Sequence, residues 1–163
     1  MKLPGIPRAW DARGRLSGGV EWRAAGSPAA RADAELVIDG LSYAAPDGTQ
    51  AAEALVLRVD LAARATPSGW GFDSTLRWPT GALYSEPVVV DAGDGPLTLQ
   101  ASGRLQPARG SLELDSWSIA LERAFNVAGA ARIDTREPRL EELTVAAHSD
   151  HSDRLYRLLL QPF

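Results

Sequence analysis

An all-β fold built from antiparallel strands is what the sequence predicts, and two observations carry that prediction. Apolar and polar residues alternate with a period of two along most of the 163 residues, and turn-forming residues recur between the alternating runs. In LTLQASGRL (97–105), Leu97, Leu99, Ala101, Gly103 and Leu105 fall on one side of an extended chain. Thr98, Gln100, Ser102 and Arg104 fall on the other.

Turn signals stand at Gly18-Gly19, Gly26-Ser27-Pro28, Pro46-Asp47-Gly48, Pro67-Ser68-Gly69, Gly93-Asp94-Gly95-Pro96 and Pro107 to Gly110. Asp47-Gly48 and Asp94-Gly95 read as hairpins with type I′ turns, which need positive φ at both central residues.

The segments between them read as strands, taken in order. Residues 14–23 carry Leu16, Val20 and Trp22 on one parity, and in 34–43 Ala34, Leu36 and Ile38 alternate with Glu35, Val37 and Asp39. In 53–63, Leu55, Leu57, Val59 and Leu61 alternate with Val56, Arg58 and Asp60. In 70–78, Trp70, Phe72, Leu76 and Trp78 alternate with Gly71, Asp73, Thr75 and Arg77. Residues 83–91 end in three valines, and 97–105 follows. In 111–122 the apolar parity moves from Leu112/Leu114 to Trp117/Ile119/Leu121, which predicts a bulge near Asp115-Ser116. Residues 125–134 (Phe125, Val127, Ala131, Ile133) and 140–147 (Leu143, Val145) complete about nine strands.

A helix competes in two places. Ser27-Pro28 can cap AARADAEL, and QAAEALVLRVDLAARA places Ala51, Leu55, Val59 and Ala62 on one helical face. Strict alternation in VLRVDL, with β-branched residues inside it, favours strand. A short helix is expected at the C-terminus, where Leu155, Leu158 and Leu159 share a face behind Asp153 as N-cap.

The expected architecture is therefore one strongly bent, groove-like antiparallel meander of about eight to ten strands, with a Greek-key β-sandwich as the alternative. Residues 1–163 are read as a single β domain: an irregular lead-in over 1–12, the meander over 13–147, then a polar loop and short helix over 148–163.

Composition removes several function classes. The chain is 45% hydrophobic and 23% charged, an ordinary globular balance, with net charge -4. That balance argues against nucleic acid, whose phosphates require clustered Lys and Arg, and here Lys2 is the only lysine. Without cysteine there is no disulfide, no cysteine-ligated zinc and no Cys nucleophile. No run of about 18 apolar residues is present. MKLPGIPRAW lacks the apolar core of a signal peptide, so an exported form of this chain is expected to be a mature piece or a segment of something longer.

Little in the sequence carries chemistry. HSDHSD (148–153) brings together His148, Asp150, His151 and Asp153, which are metal-binding types, but without a zinc spacing; the expected reading is a polar loop with an N-cap. His148 and His151 stand only as weak metal candidates, and no cofactor is expected. GxSxG, a phosphate loop and HExxH are all absent. Glu113 with Asp115, and Glu141 with Glu142, are acid pairs that could serve glycoside hydrolysis but read equally as solvated strand faces. Trp22, Trp70, Trp78 and Trp117 all lie on expected strands, either as core or as a platform for apolar or sugar ligands.

RGRLSGGVEW, AELVIDGLSY, AAEALVLRVDLAA and LTLQASGRL, a succession of amphipathic strands joined by short turns, resemble the AsmA-like group of bacterial envelope proteins, including its TamB-like members. The resemblance spans roughly residues 12–147 and rests on residue types rather than an invariant motif. It implies a long curved sheet with a hydrophobic concave groove that carries phospholipid between the inner and outer membranes across the periplasm. The chain lacks that group's N-terminal membrane anchor and is too short to bridge two membranes, so the resemblance implies a segment of the groove. It further implies a periplasmic location, a parent anchored in the inner membrane, phospholipid acyl chains and other envelope proteins or segments of the parent chain as partners, and no enzymatic activity.

The lipid track expected on that basis comprises Leu55, Leu57, Val59 and Leu61, then Trp70, Phe72, Leu76 and Trp78, then Leu97, Leu99 and Leu105. Glu53, on the parity of Leu55, is expected to mark its end. A carbohydrate-binding β-sandwich and a structural, protein-binding β domain are the competing classes.

Overall fold

The structure, a computed structural model, describes residues 12–24, 30–122 and 125–149. These residues form nine strands: β1 (Arg13–Arg23), β2 (Arg31–Ala44), β3 (Gln50–Thr66), β4 (Gly69–Ser85), β5 (Val88–Asp91), β6 (Leu97–Gln106), β7 (Ser111–Leu121), β8 (Phe125–Asp134) and β9 (Arg139–His148). All pairings are antiparallel and all belong to one sheet, in the order β1-β2-β3-β4-β6-β7-β8-β9, with β5 also on β4. The sheet does not close into a barrel, since β1 and β9 are its two edges. There is no second layer among the described residues, so the sandwich alternative is excluded for them.

Both segments that competed for a helix are strands: residues 31–36 open β2, and the second segment is β3. Alanine's helix propensity is worth a fraction of a kcal/mol per residue, roughly. It is outweighed by alternation that lets one row of side chains line up with both neighbours: Val59 lies opposite Leu36 on β2 and Leu76 on β4.

Several local expectations are corrected. Gly18-Gly19 is not a turn but the middle of β1. A Cβ at Gly18 would run into the Glu35 carbonyl oxygen of β2, so the glycine permits close strand approach rather than a reversal. Residues 83–91 are not one strand. Leu83 to Ser85 finish β4, the chain reverses at Glu86-Pro87, and β5 returns along the same strand. Asp94-Gly95 makes no hairpin either. Ala92–Asp94 is a short 3-10 helix, with the Asp91 carboxylate accepting from the Gly93 N–H at 2.8 Å. It links β5 to β6, and both lie on the same side of β4, opposite residues 82–85 and 70–78 respectively. They form in effect one long partner strand with an interruption. At Pro46-Asp47-Gly48 the chain does reverse, but only Gly48 has positive φ (73°), so the turn is not type I′. Pro46 and Asp47 form the middle of a turn closed by Gly48 N–H to the Ala45 carbonyl, and Asp47 accepts from Thr49. The expected bulge in β7 is present: Asp115 and Ser116 together stand against one residue of β8. Gly26-Ser27-Pro28, Asp150, His151 and the expected C-terminal helix behind Asp153 fall outside the described residues.

The core sits at one end of the sheet. Ala52, Leu55, Trp78, Ala92, Leu97 and Leu121 are buried together, with Leu41, Tyr43, Leu83, Val90 and Phe125 packed around them. A flat single layer leaves its side chains open to solvent, so this burial requires the sheet to fold over its own apolar face there. Two devices permit that. Ala54 is the one non-glycine residue with positive φ (47°) among those described, and Gly81 (φ 95°) lies beside it on β4. A Cβ at Gly81 would meet the Ala54 carbonyl and the Leu55 Cα, so this bend accepts only glycine. Next to it, the Trp78 indole N–H donates to the carbonyls of Thr80 and Gly81 at 3.0 and 3.1 Å, which lets a polar ring atom be buried.

Candidate apolar binding face

Register decides which side chains share a face, because directly opposed residues in an antiparallel pair project to the same side. One row runs Gly18, Leu36, Val59, Leu76, Leu99, Ile119, Val127, Ala147. The next runs Val20, Ala34, Leu61, Ser74, Ala101, Trp117, Gly129, Val145. Beyond it stand Trp22, Ala32, Ala63, Phe72, Gly103, Leu114, Ala131 and Leu143. On the other flank of the first row are Leu16, Ile38 and Leu57 on β1–β3, while Trp78, Leu97, Leu121 and Phe125 continue that flank across β4 to β8.

These rows contain no charged residue. Their single polar interruption, Ser74, donates its hydroxyl to the Ala101 carbonyl at 3.3 Å. Leu57, Val59, Leu61, Trp70, Phe72, Leu76, Trp78, Leu97, Leu99 and Leu105 are brought onto this face by register, and Leu55 joins it through the buried cluster.

Glu53 does not end the track, contrary to expectation. The bulge at Ala54 switches the parity of β3, so that Ala52 and Leu55 both turn inward. Glu53 is thereby placed opposite Ala82, exposed.

The face is bent. Strands about 4.8 Å apart would put β1 and β4 about 14 Å from each other in a flat sheet. Yet the rings of Trp22 on β1 and Trp70 on β4 meet with centroids 5.5 Å apart, tilted by 47°. The intervening residues at this end are Ala32, Ala63 and Ala65, small enough for both indoles to lean over them. Trp22 remains 55% exposed, whereas Trp78 is 6% exposed; one tryptophan is core and the other is surface.

The opposite face is polar and carries the ion pairs. Arg77 reaches Asp60 at 3.1 Å, and Arg104 reaches Asp115 at 2.9 Å and Glu113 at 3.3 Å. Arg132 continues the ladder to Glu113 and Glu142 at 3.5 and 3.7 Å. Both acid pairs from the sequence therefore serve this face or its rim, with Arg139 on Glu141 at 3.7 Å. Arg31 donates two hydrogen bonds to Asp33, holding its carboxyl below the usual carboxylate range and raising its own guanidinium. Two shallow depressions lie chiefly on this side, one beside Glu21, Asp33, Glu35, Asp60 and Asp73, the other beside Arg104, Glu113, Arg132 and Glu142.

Among the described residues no cluster of three or more His, Asp or Glu side chains has a geometry that could hold a metal ion, and His148 is the last residue of β9. None of their helices is long and apolar enough to cross a membrane.

Sequence reasoning placed the track on β3, β4 and β6 and left out its flanks. Leu16, Val20 and Trp22 on β1, and Leu143 and Val145 on β9, carry the same alternation and the same face, which Leu140 joins through the bulge at Glu141. The signal was already present in RGRLSGGVEWR; the two central glycines disguised it as a turn. In comparisons with family models, curated proteins and solved structures, nothing matches this chain.

Proposed function

We propose that this chain is a non-enzymatic lipid-binding segment: an apolar β-groove of the AsmA-like and TamB-like kind, working in intermembrane phospholipid transfer in the periplasm of a bacterial envelope, as part of a parent anchored in the inner membrane. One observation carries the reading. An uncharged apolar face, broken only by the hydrogen-bonded Ser74, runs across eight hydrogen-bonded strands of a single-layer sheet, with no second layer among the described residues to cover it. Soluble monomers seldom leave a contiguous apolar surface of that extent open. Each acyl CH₂ transferred from water to such a face contributes about 0.8 kcal/mol, so part of one tail laid across a few strands suffices for binding. No catalytic group is needed.

The carbohydrate alternative is less well supported. A sugar platform needs carboxylates or amides beside its stacking rings. The neighbours of Trp22 and Trp70 on their own face are Ala32, Ala63, Ala65 and Leu105.

The test is capture of a photo-crosslinkable phospholipid. Leu61→Asp and Leu99→Asp, on the apolar face, should reduce capture at least tenfold while the chain stays folded by circular dichroism. Arg58→Asp and Gln100→Asp, on the polar face of the same strands, should leave capture within about twofold. Full capture by a folded Leu61→Asp variant would overturn the proposal.

A further inference from the structure

The large apolar side chains most open to solvent are unevenly distributed. Of the nine among the described residues, Leu16, Val20 and Trp22 lie on β1 and Leu140, Leu143 and Val145 on β9. Every residue of both strands is exposed. Among the described residues these are the two edges of the sheet, where backbone N–H and C=O groups point outward with no described partner strand. Natural edges are usually protected by charged side chains, above all lysine, by proline, by bulges or by a covering element. Neither β1 (RGRLSGGVEWR) nor β9 (RLEELTVAAH) contains lysine or proline, and the rows they add to the apolar face carry no charge.

We propose that the two edges pair with each other between molecules: β9 of one copy accepts β1 of a second copy, extending the sheet head to tail. Three features favour this occupant. Eight strands lie on the path from β1 to β9, so the two edges run in opposite directions. A second copy placed beside β9 thus offers β1 antiparallel, with its apolar side on the same face. A single register then satisfies both faces. It sets Gly18 against Ala147, Val20 against Val145 and Trp22 against Leu143, all on the apolar side. On the polar side it sets Arg23, bonded within its own strand to Glu21 at 2.6 and 2.8 Å, against Glu142, which faces Arg132 at 3.7 Å, so that the new pair joins two existing ion pairs across the seam. A shift by two residues in one direction opposes Glu21 to Glu142, and in the other leaves Arg23 facing Thr144. The inference goes beyond lipid binding and does not depend on it, because the contacts are backbone ladder, apolar pairs and one charge pair; it concerns this chain by itself, since in a longer parent groove neighbouring strands would occupy both edges.

The absence of cysteine makes the test clean. Val20→Cys and Val145→Cys are made separately in the full chain, mixed, and oxidised mildly. The expected result is a disulfide dimer containing one of each variant, identified by peptide mass, with little product from either alone. Glu142→Arg in the Val145→Cys chain should lower the yield at least fivefold, and Arg23→Glu in its partner should restore it. The unmodified chain should gain mass with concentration in sedimentation velocity. Dimers of Val20→Cys alone would point to β1 pairing with itself and overturn the proposal. So would absence of any adduct, or a monomer at every concentration.

Discussion

The two ends of the apolar face are made of the same kinds of residue and behave differently. Around Trp78, the bends at Ala54 and Gly81 and the inserted 3-10 turn at Ala92 wrap the sheet onto itself, and Leu55, Leu97 and Leu121 vanish from solvent. Around Trp22, no such device stands among the described residues, and Val20 beside it is 77% exposed. Alternation alone makes an apolar face; burial of that face needs backbone irregularity. The closed end then supplies folding stability, and the open flanks are left for a ligand or another strand. This division explains how one sheet without a second layer can be both folded and available.

The contrast can be broken most severely at the closed end. Trp78→Ala removes the largest side chain of the buried cluster together with its two hydrogen bonds to Thr80 and Gly81. A loss of about 3–5 kcal/mol is expected in urea unfolding. Gly81→Val forces a β-branched residue into positive φ and against the Leu55 backbone, with an expected loss of at least about 2 kcal/mol by the same measurement. At the open flank, Val20→Ser should change stability by less than about 0.5 kcal/mol. Equal losses at Trp78 and Val20 would remove the distinction between the two ends.

The smallest effect is electrostatic. Asp33 is held low by its hydrogen bond from Arg31, and Asp134 by the backbone N–H groups of Arg136 and Glu137. Asp47 is held low by the backbone N–H and hydroxyl of Thr49. A carboxyl whose folded value lies below its unfolded value stabilises the fold above the ordinary carboxylate range and loses that contribution as pH falls through the lowered value. Thermal midpoints should therefore begin to fall as pH enters the ordinary carboxylate range and go on falling through the lowered values. Asp134→Asn should make that fall shallower, and an unchanged acid limb would contradict the assignment.

Much of the fold was legible because period-two alternation specifies both strand and face. The bulge at Asp115-Ser116 was readable for the same reason, since it displaces the apolar parity from Leu114 to Trp117. What escaped were places where glycine has two meanings. Gly18-Gly19 signals a turn by composition but sits where β2 presses against β1, and nothing local distinguishes the two. The bend at Ala54 was illegible because alanine has no preference for positive φ; it is imposed by Gly81 and the core on the neighbouring strand. For that reason Glu53 was misplaced. The apolar face could be read residue by residue from sequence, but its openness could not, because openness depends on which strands are edges.

The claim that this open apolar face takes acyl chains is tested most directly by placing a photo-crosslinking amino acid at single positions of the intact chain. Leu61 and Leu36 lie on the apolar face; Arg58, three residues before Leu61 on β3, and Glu35, next to Leu36 on β2, lie on the polar face. After exposure to phosphatidylethanolamine and phosphatidylglycerol vesicles and irradiation, lipid adducts are read by mass spectrometry. The account predicts adducts at Leu61 and Leu36, at least tenfold above those at Arg58 and Glu35. Adducts of equal yield on both faces, or confined to Arg58 and Glu35, would contradict it.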